Sequence, residues 1–165
     1  MVASCIAFPF LIVKANSYLE FWNVISFLIY GFSLIILFAA STFYHAAKNS
    51  QKRRQLNILD HAAIYVLIAG SYTPFCLVAL DSKLGWYLFI AVWVFAFIGI
   101  ILKLFFTGKF NVISTAMYLL MGWQVLLFIK PLMNVLTSFG FNLLLAGGIF
   151  YTVGAILYSI KKIPF

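Results

Sequence analysis

The chain has 165 residues, of which 65% are hydrophobic and 8% charged, against roughly 25% charged residues in a soluble domain. That balance excludes a soluble globular protein and points to one that lives in a bilayer. The net charge of +8, from 11 basic and 3 acidic residues, fits basic loops beside membrane spans and calls for no nucleic-acid surface.

About a dozen apolar residues, 2–13, open the chain. At 1.5 Å per residue they are too few to cross about 30 Å of hydrocarbon, so the first span is read as partial. No basic segment precedes Val2 and no small-residue cleavage site follows, which argues against a secretory signal. The further expected spans are 21–44, 58–80, 85–105, 110–129 and 136–160, each an apolar run of helix-forming length. Between them lie a polar loop, 45–57, the turns Asp81-Ser82-Lys83 and Thr107-Gly108-Lys109, and a segment in which Pro131 helps end the preceding helix.

Within these spans, Pro74 is expected to kink its helix, with Ser71 and Thr73 of "GSYTPF" bonding to the backbone it frees or, as the alternative, lining a lipid-facing cleft. Ala146, Gly147, Gly148, Gly154 and Ala155 would let the last span approach a neighbour closely. Trp22, Trp86 and Tyr87 fall near span ends, where amphipathic rings settle at the membrane interface. Cys5 and Cys76 sit in apolar runs and read as packing residues. With no long linker, repeat or low-complexity tract, residues 1–165 read as one domain: an all-α, polytopic transmembrane helical bundle.

Alternating the spans puts Lys14, Lys83 and Lys130 on one side and Lys48, Lys52, Arg53, Arg54, Lys103, Lys109, Lys161 and Lys162 on the other. The positive-inside tendency then makes the amino end and the loop 45–57 cytoplasmic in a multi-pass cell-membrane protein. Membrane lipids are the expected partners; a homo-oligomer is left open.

Chemistry concentrates in "STFYHAAKNSQKRRQLNILDH", residues 41–61, which holds both histidines and one of the three acids. Ser41 and His45, four apart, share a helix face, and Asp60 begins the next span. A carboxylate in a span needs a partner, water or a cation. Imidazole and carboxylate are ordinary zinc ligands, and a hydroxyl can orient one of them or a bound water. The plainer alternative makes Asp60 a first-turn acid favoured by the helix dipole, with Ser41 and His45 at headgroup level. His61, about 100° around the helix from Asp60, reads as interfacial, and its stripe through Tyr65, Ile68 and Tyr72 as packing.

The spacing of Ser41 and His45, then Asp60 leading "LDHAAIYVLIAGSYTPF", resembles the hemolysin III branch of the progestin and adipoQ receptor (PAQR) family. "STFYH", "YLLMGW" and "SIKKIPF" extend the likeness over nearly the whole chain. The resemblance implies a seven-helix bundle with a zinc ion near the cytoplasmic leaflet. It would make His45 a zinc ligand and Ser41 a supporting hydroxyl, with Asp60 holding the zinc-bound water. Family members carry a histidine pair four apart on a last helix, which would follow Phe165, and an acidic segment before Met1, so the chain reads as truncated at both ends.

The resemblance also implies three functions: a zinc-dependent lipid-amide hydrolase of ceramidase type, active in a full-length form with Asp60 and Ser41 as catalytic residues; a pore-forming cytolysin; or a lipid-sensing receptor with a structural metal. No span carries the polar stripe that lines a water-filled channel.

Overall fold

The computed structural model describes residues 21–80, 82–106 and 111–159; the partial span 2–13, Cys5, Asp81, the Thr107-Gly108-Lys109 turn and Lys161-Lys162 lie outside them. Helix α1 covers Phe21–Ala46, α2 Ser50–Pro74, α3 Lys83–Phe106, α4 Asn111–Trp123, α5 Ile129–Val135 and α6 Ser138–Ser159. A π-helical turn, Phe75–Ala79, continues α2, and a 3-10 stretch, Gln124–Phe128, joins α4 to α5. With these continuations, five helical segments are long and apolar enough to cross a membrane, and no strand occurs among the described residues. The fold is an all-α polytopic bundle.

Two boundaries differ from those expected. Helix α2 starts at Ser50 rather than at 58, because the Asn49 side chain caps it, accepting from the backbone N–H of Gln51 at 2.9 Å and of Lys52 at 3.1 Å. Residues 51–56, "QKRRQL", are good helix formers that hydropathy alone reads as loop. The connection from α1 thus shrinks to Ala47, Lys48 and Asn49. The fifth span, in turn, runs past 129 to Val135. Pro131 is the third residue of α5, in a first turn where its missing N–H leaves no bond unmade.

Helix α2 is the hub. In its most apolar stretch 56% of residues are buried, against 28% or less in every other span, and it packs on α1, α3 and α4 while α6 packs on α4 and α5. Tyr65, Ala69, Leu88, Val92, Ala96 and Met121 are almost wholly buried around it. The outer surface is an apolar mantle that includes Phe105, Leu127 and Phe150, each more than three quarters exposed, as suits lipid rather than water.

Helix α1 is built inside out. Its buried residues are Asn23, Ser26, Gly31 and Ser33, while Phe32, Ile36, Phe38 and Phe43 point outward. Lipid is as apolar as leucine, so large side chains gain little by turning inward, and small ones bring the backbones together. Ser26 and Ser33 satisfy their hydroxyls on the carbonyls of Asn23 and Tyr30, at 3.0 and 2.6 Å.

The contact of α1 with α2 closes on Gly70, where a Cβ would lie 2.7 Å from that of Ser33. Gly99 of α3 does the same against the Tyr65 ring. The glycines of the stripe expected on the last span behave differently: Gly147 and Gly154 face open space, and of the three Gly148 alone approaches a neighbour, 3.4 Å from the Trp123 ring. Gly70→Leu is expected to part α1 from α2 and to destabilise the protein by about 1–3 kcal/mol, read as a lower Tm in detergent. Combining Ser33→Gly with the milder Gly70→Ala should recover most of what Gly70→Ala alone loses.

Candidate functional site

The Gly70–Ser33 contact fixes the relative depth of the three residues singled out by sequence. Toward the basic end of the bundle, Asp60 lies ten residues from Gly70, about 15 Å, and Ser41 and His45 lie eight and twelve from Ser33, about 12 and 18 Å. Asp60 therefore falls between the other two in depth. At 100° per residue, Ser41 and Asp60 each turn roughly 80° from the contact line, and for antiparallel right-handed helices that is toward the same flank. His45 turns further, roughly 120°, and is exposed, whereas Ser41 and Asp60 are half-buried.

Local contacts explain why His45 stays outside. Its ring meets the edge of Tyr44 at 4.9 Å between centroids, and the Arg53 guanidinium lies 5.4 Å from the Tyr44 ring centre. His61 points away from α1. A carbonyl can only accept, so its Nδ1 donates to the Asn57 carbonyl at 2.7 Å, and its own carbonyl accepts from the Tyr118 hydroxyl at 3.1 Å. The helix engages this ring locally.

Sequence reasoning missed Lys103. Gly99 seats on Tyr65, so Lys103, four residues on, comes level with His61, four residues back. It is only 4% exposed, and both it and Asp60 lie within electrostatic range of the His61 ring. The available signal is a lone lysine in the otherwise uncharged span 85–105. An ionisable group at such depth marks a functional position by default.

Nearer the opposite end, an apolar cleft of about 570 Å³ opens between α2, the 3-10 stretch and α6, walled by Tyr72, Trp123, Leu132, Leu144 and Tyr151. Tyr72 repairs the break in α4 above it. Its hydroxyl donates to the Gly122 carbonyl at 2.6 Å and accepts from the Val125 N–H at 2.9 Å. The Tyr151 hydroxyl, also buried in this wall, has no hydrogen-bond partner among the described residues.

Across its length the sequence matches the family described as Haemolysin-III related, over residues 1–164. The chain belongs to that family. It is 46% identical over 159 residues to the "Hemolysin-3 homolog" of Bacillus subtilis (strain 168), covering 96% of this chain and 75% of the relative. It is 44% identical over 164 residues to "Hemolysin-3" of Bacillus cereus, covering 99% and 75%. The human "Monocyte to macrophage differentiation factor" is 31% identical over 183 residues, covering 99% and 73%. No solved structure matches.

Zinc normally takes three or four protein ligands, and no group of three or more His, Cys, Asp or Glu side chains forms among the described residues of this haemolysin-III-related chain. One imidazole and one carboxylate have the right donor chemistry but fall short in number, so these residues do not by themselves fit the ion. Tyr72→Phe, which strands the Gly122 carbonyl and the Val125 N–H, is expected to cost about 1–3 kcal/mol and to speed hydrogen exchange at the Val125 amide while exchange around Asp60 stays unchanged.

Proposed function

We propose that this haemolysin-III-related protein acts on lipid at one leaflet boundary, as a hydrolase of a lipid amide, through Asp60, His45 and Ser41. The observation that carries the reading is their common depth: a carboxylate, an imidazole and a hydroxyl fall within about 6 Å along the membrane axis. That band lies near Phe43 and Leu59, exposed apolar residues at the basic end, where the polar part of a lipid meets its chains.

In this reading Asp60 accepts a proton from water as the water oxygen bonds to the amide carbon. The C–N bond then breaks, and the amine leaves with a proton. Ser41, half-buried on the same flank, can donate to the carboxylate or to the lipid carbonyl. His45, at the exposed edge, can carry protons to and from water. A family zinc would need ligands beyond the described residues.

The 570 Å³ cleft favours a second reading, a lipid-sensing protein without turnover. The name Hemolysin-3, borne by the Bacillus cereus relative, suggests membrane permeabilisation as well. Among the described residues, the almost wholly buried Tyr65, Val92, Ala96 and Met121 fill the middle of the bundle with mainly apolar side chains, which does not favour that reading.

Turnover of a ceramide by purified protein separates these. Under the hydrolase reading Asp60→Asn and His45→Ala should each lose roughly a hundredfold or more, the scale of general acid–base catalysis, at unchanged Tm. Equal turnover in the variants would sink it, and a lowered Tm with no turnover in any form would favour sensing. Zinc measured in the same samples shows whether turnover tracks a bound ion.

A further inference from the structure

The early start of α2 turns a stretch expected to be loop into an ordered cationic surface. Lys48 precedes the cap, Lys52, Arg53 and Arg54 fill the first turns, and all four are exposed. We propose that these four residues form a collar that binds the headgroups of anionic phospholipids around α2.

Depth supports this occupant. Leu59, 53% exposed, and Phe43, 59% exposed, mark the hydrocarbon edge at this end. From Leu59 back to Arg54, Arg53 and Lys52 is five to seven residues, about 7–11 Å along the helix. A headgroup layer is about 5–8 Å thick on each side of the hydrocarbon, and long basic side chains bend back along an apolar surface to reach it. The cations thus sit where lipid phosphates lie.

Direction supports it too. Three successive residues fan through about 200° of the helix, so their charges diverge. Divergent cations close poorly on one soluble anion, but they can each meet a different phosphate of the headgroup layer at this end of the bundle. Arg53 is steadied on the Tyr44 ring at 5.4 Å, which fixes one member of the fan against α1.

Charge supplies the drive. The first turn of α2 holds no acidic residue, and the nearest acid in sequence is Asp60, six residues beyond Arg54. The cations crowd one another and the positive end of the helix dipole, an arrangement that a negative surface relieves. Clusters of this size next to a span bind anionic lipid in this way.

This binding is independent of the hydrolase reading, and its test measures no turnover. The purified chain is reconstituted in phosphatidylcholine vesicles carrying traces of spin-labelled phosphatidylglycerol or phosphatidylcholine, and the immobilised fraction of each label is read by electron paramagnetic resonance. Wild-type protein should hold phosphatidylglycerol several-fold more than phosphatidylcholine at low salt, with an upper bound of about fivefold per cation. Raising the salt to roughly half molar should remove most of that preference, since the Debye length then falls to a few ångströms.

The triple variant Lys52→Gln, Arg53→Gln, Arg54→Gln should bring the two lipids close to parity. Lys83→Gln with Lys130→Gln, at the opposite end, should change nothing. A wild-type protein without preference, a preference indifferent to salt, or a triple variant that keeps the wild-type ratio would each overturn the proposal. The salt titration needs only wild-type protein, so the outcome does not depend on the variant folding.

Discussion

The absence of side chains at Gly70 and Gly99 is the constraint on which the rest of the bundle depends. In hydrocarbon there is no hydrophobic force to press helices together, so close backbone approach and dispersion must do it. At Gly70 α2 meets α1, and at Gly99 α3 closes on Tyr65. These two contacts set the depth at which every other residue of α1, α2 and α3 is presented. The level of Asp60 with Ser41 and His45 follows from the first, and the level of Lys103 with His61 from the second.

A second constraint is that every backbone polar group away from water must find a partner within the protein. The two irregular places in the bundle show how this is met. Pro74 has no N–H to offer the Gly70 carbonyl, and after it the helix widens to a π turn closed by the Leu80 N–H on the Phe75 carbonyl at 2.9 Å. Of the two roles expected for Ser71 and Thr73, neither hydroxyl serves the Gly70 carbonyl: they donate to the carbonyls of Ile68 and Ala69, at 2.8 and 3.0 Å, while Ser71 lines the cleft. Thr73 also accepts from the Trp93 indole at 3.3 Å, which ties α2 to α3. Across the bundle, Tyr72 serves the break after Gly122 with a single hydroxyl used as donor and acceptor. Both irregularities border the cleft, so the cavity coincides with the places where regular helix gives way.

The spans from residue 21 onward were legible because a bilayer demands long apolar runs, and hydropathy reads that demand directly. What lies beyond the hydrocarbon was not legible in the same way. Gln51 to Arg54 look like loop to a hydropathy scale, yet helix propensity and the Asn49 cap make them helix. Small residues carried a related ambiguity: Gly147 and Gly154 match the pattern of a contact face, but Gly70 and Gly99 make the close contacts. Composition permits approach, and only the partner's side chain decides it. The expected grouping of Ser41, His45 and Asp60 rests on helix spacing, which speaks to depth and direction and not to contact between side chains. The burial of Lys103 did not register, because averaging over a span hides one charged residue among many apolar ones.

Polar chemistry and apolar space are segregated along the membrane axis. Tyr72, in the wall of the cleft, stands twelve residues from Asp60, about 18 Å along α2 and more than half of a roughly 30 Å hydrocarbon core. A lipid whose polar part lies level with Asp60 presents only its chains at the depth of the cleft. A lipid whose polar part lies at the cleft's end of the bundle belongs to the opposite leaflet. Between the two levels the interior is filled by Tyr65, Ala69, Val92 and Ala96, all almost wholly buried. An occupant of the cleft can therefore be felt at the level of Asp60 through the helices that wall it: α2 itself, and α4, whose Tyr118 hydroxyl donates to the His61 carbonyl.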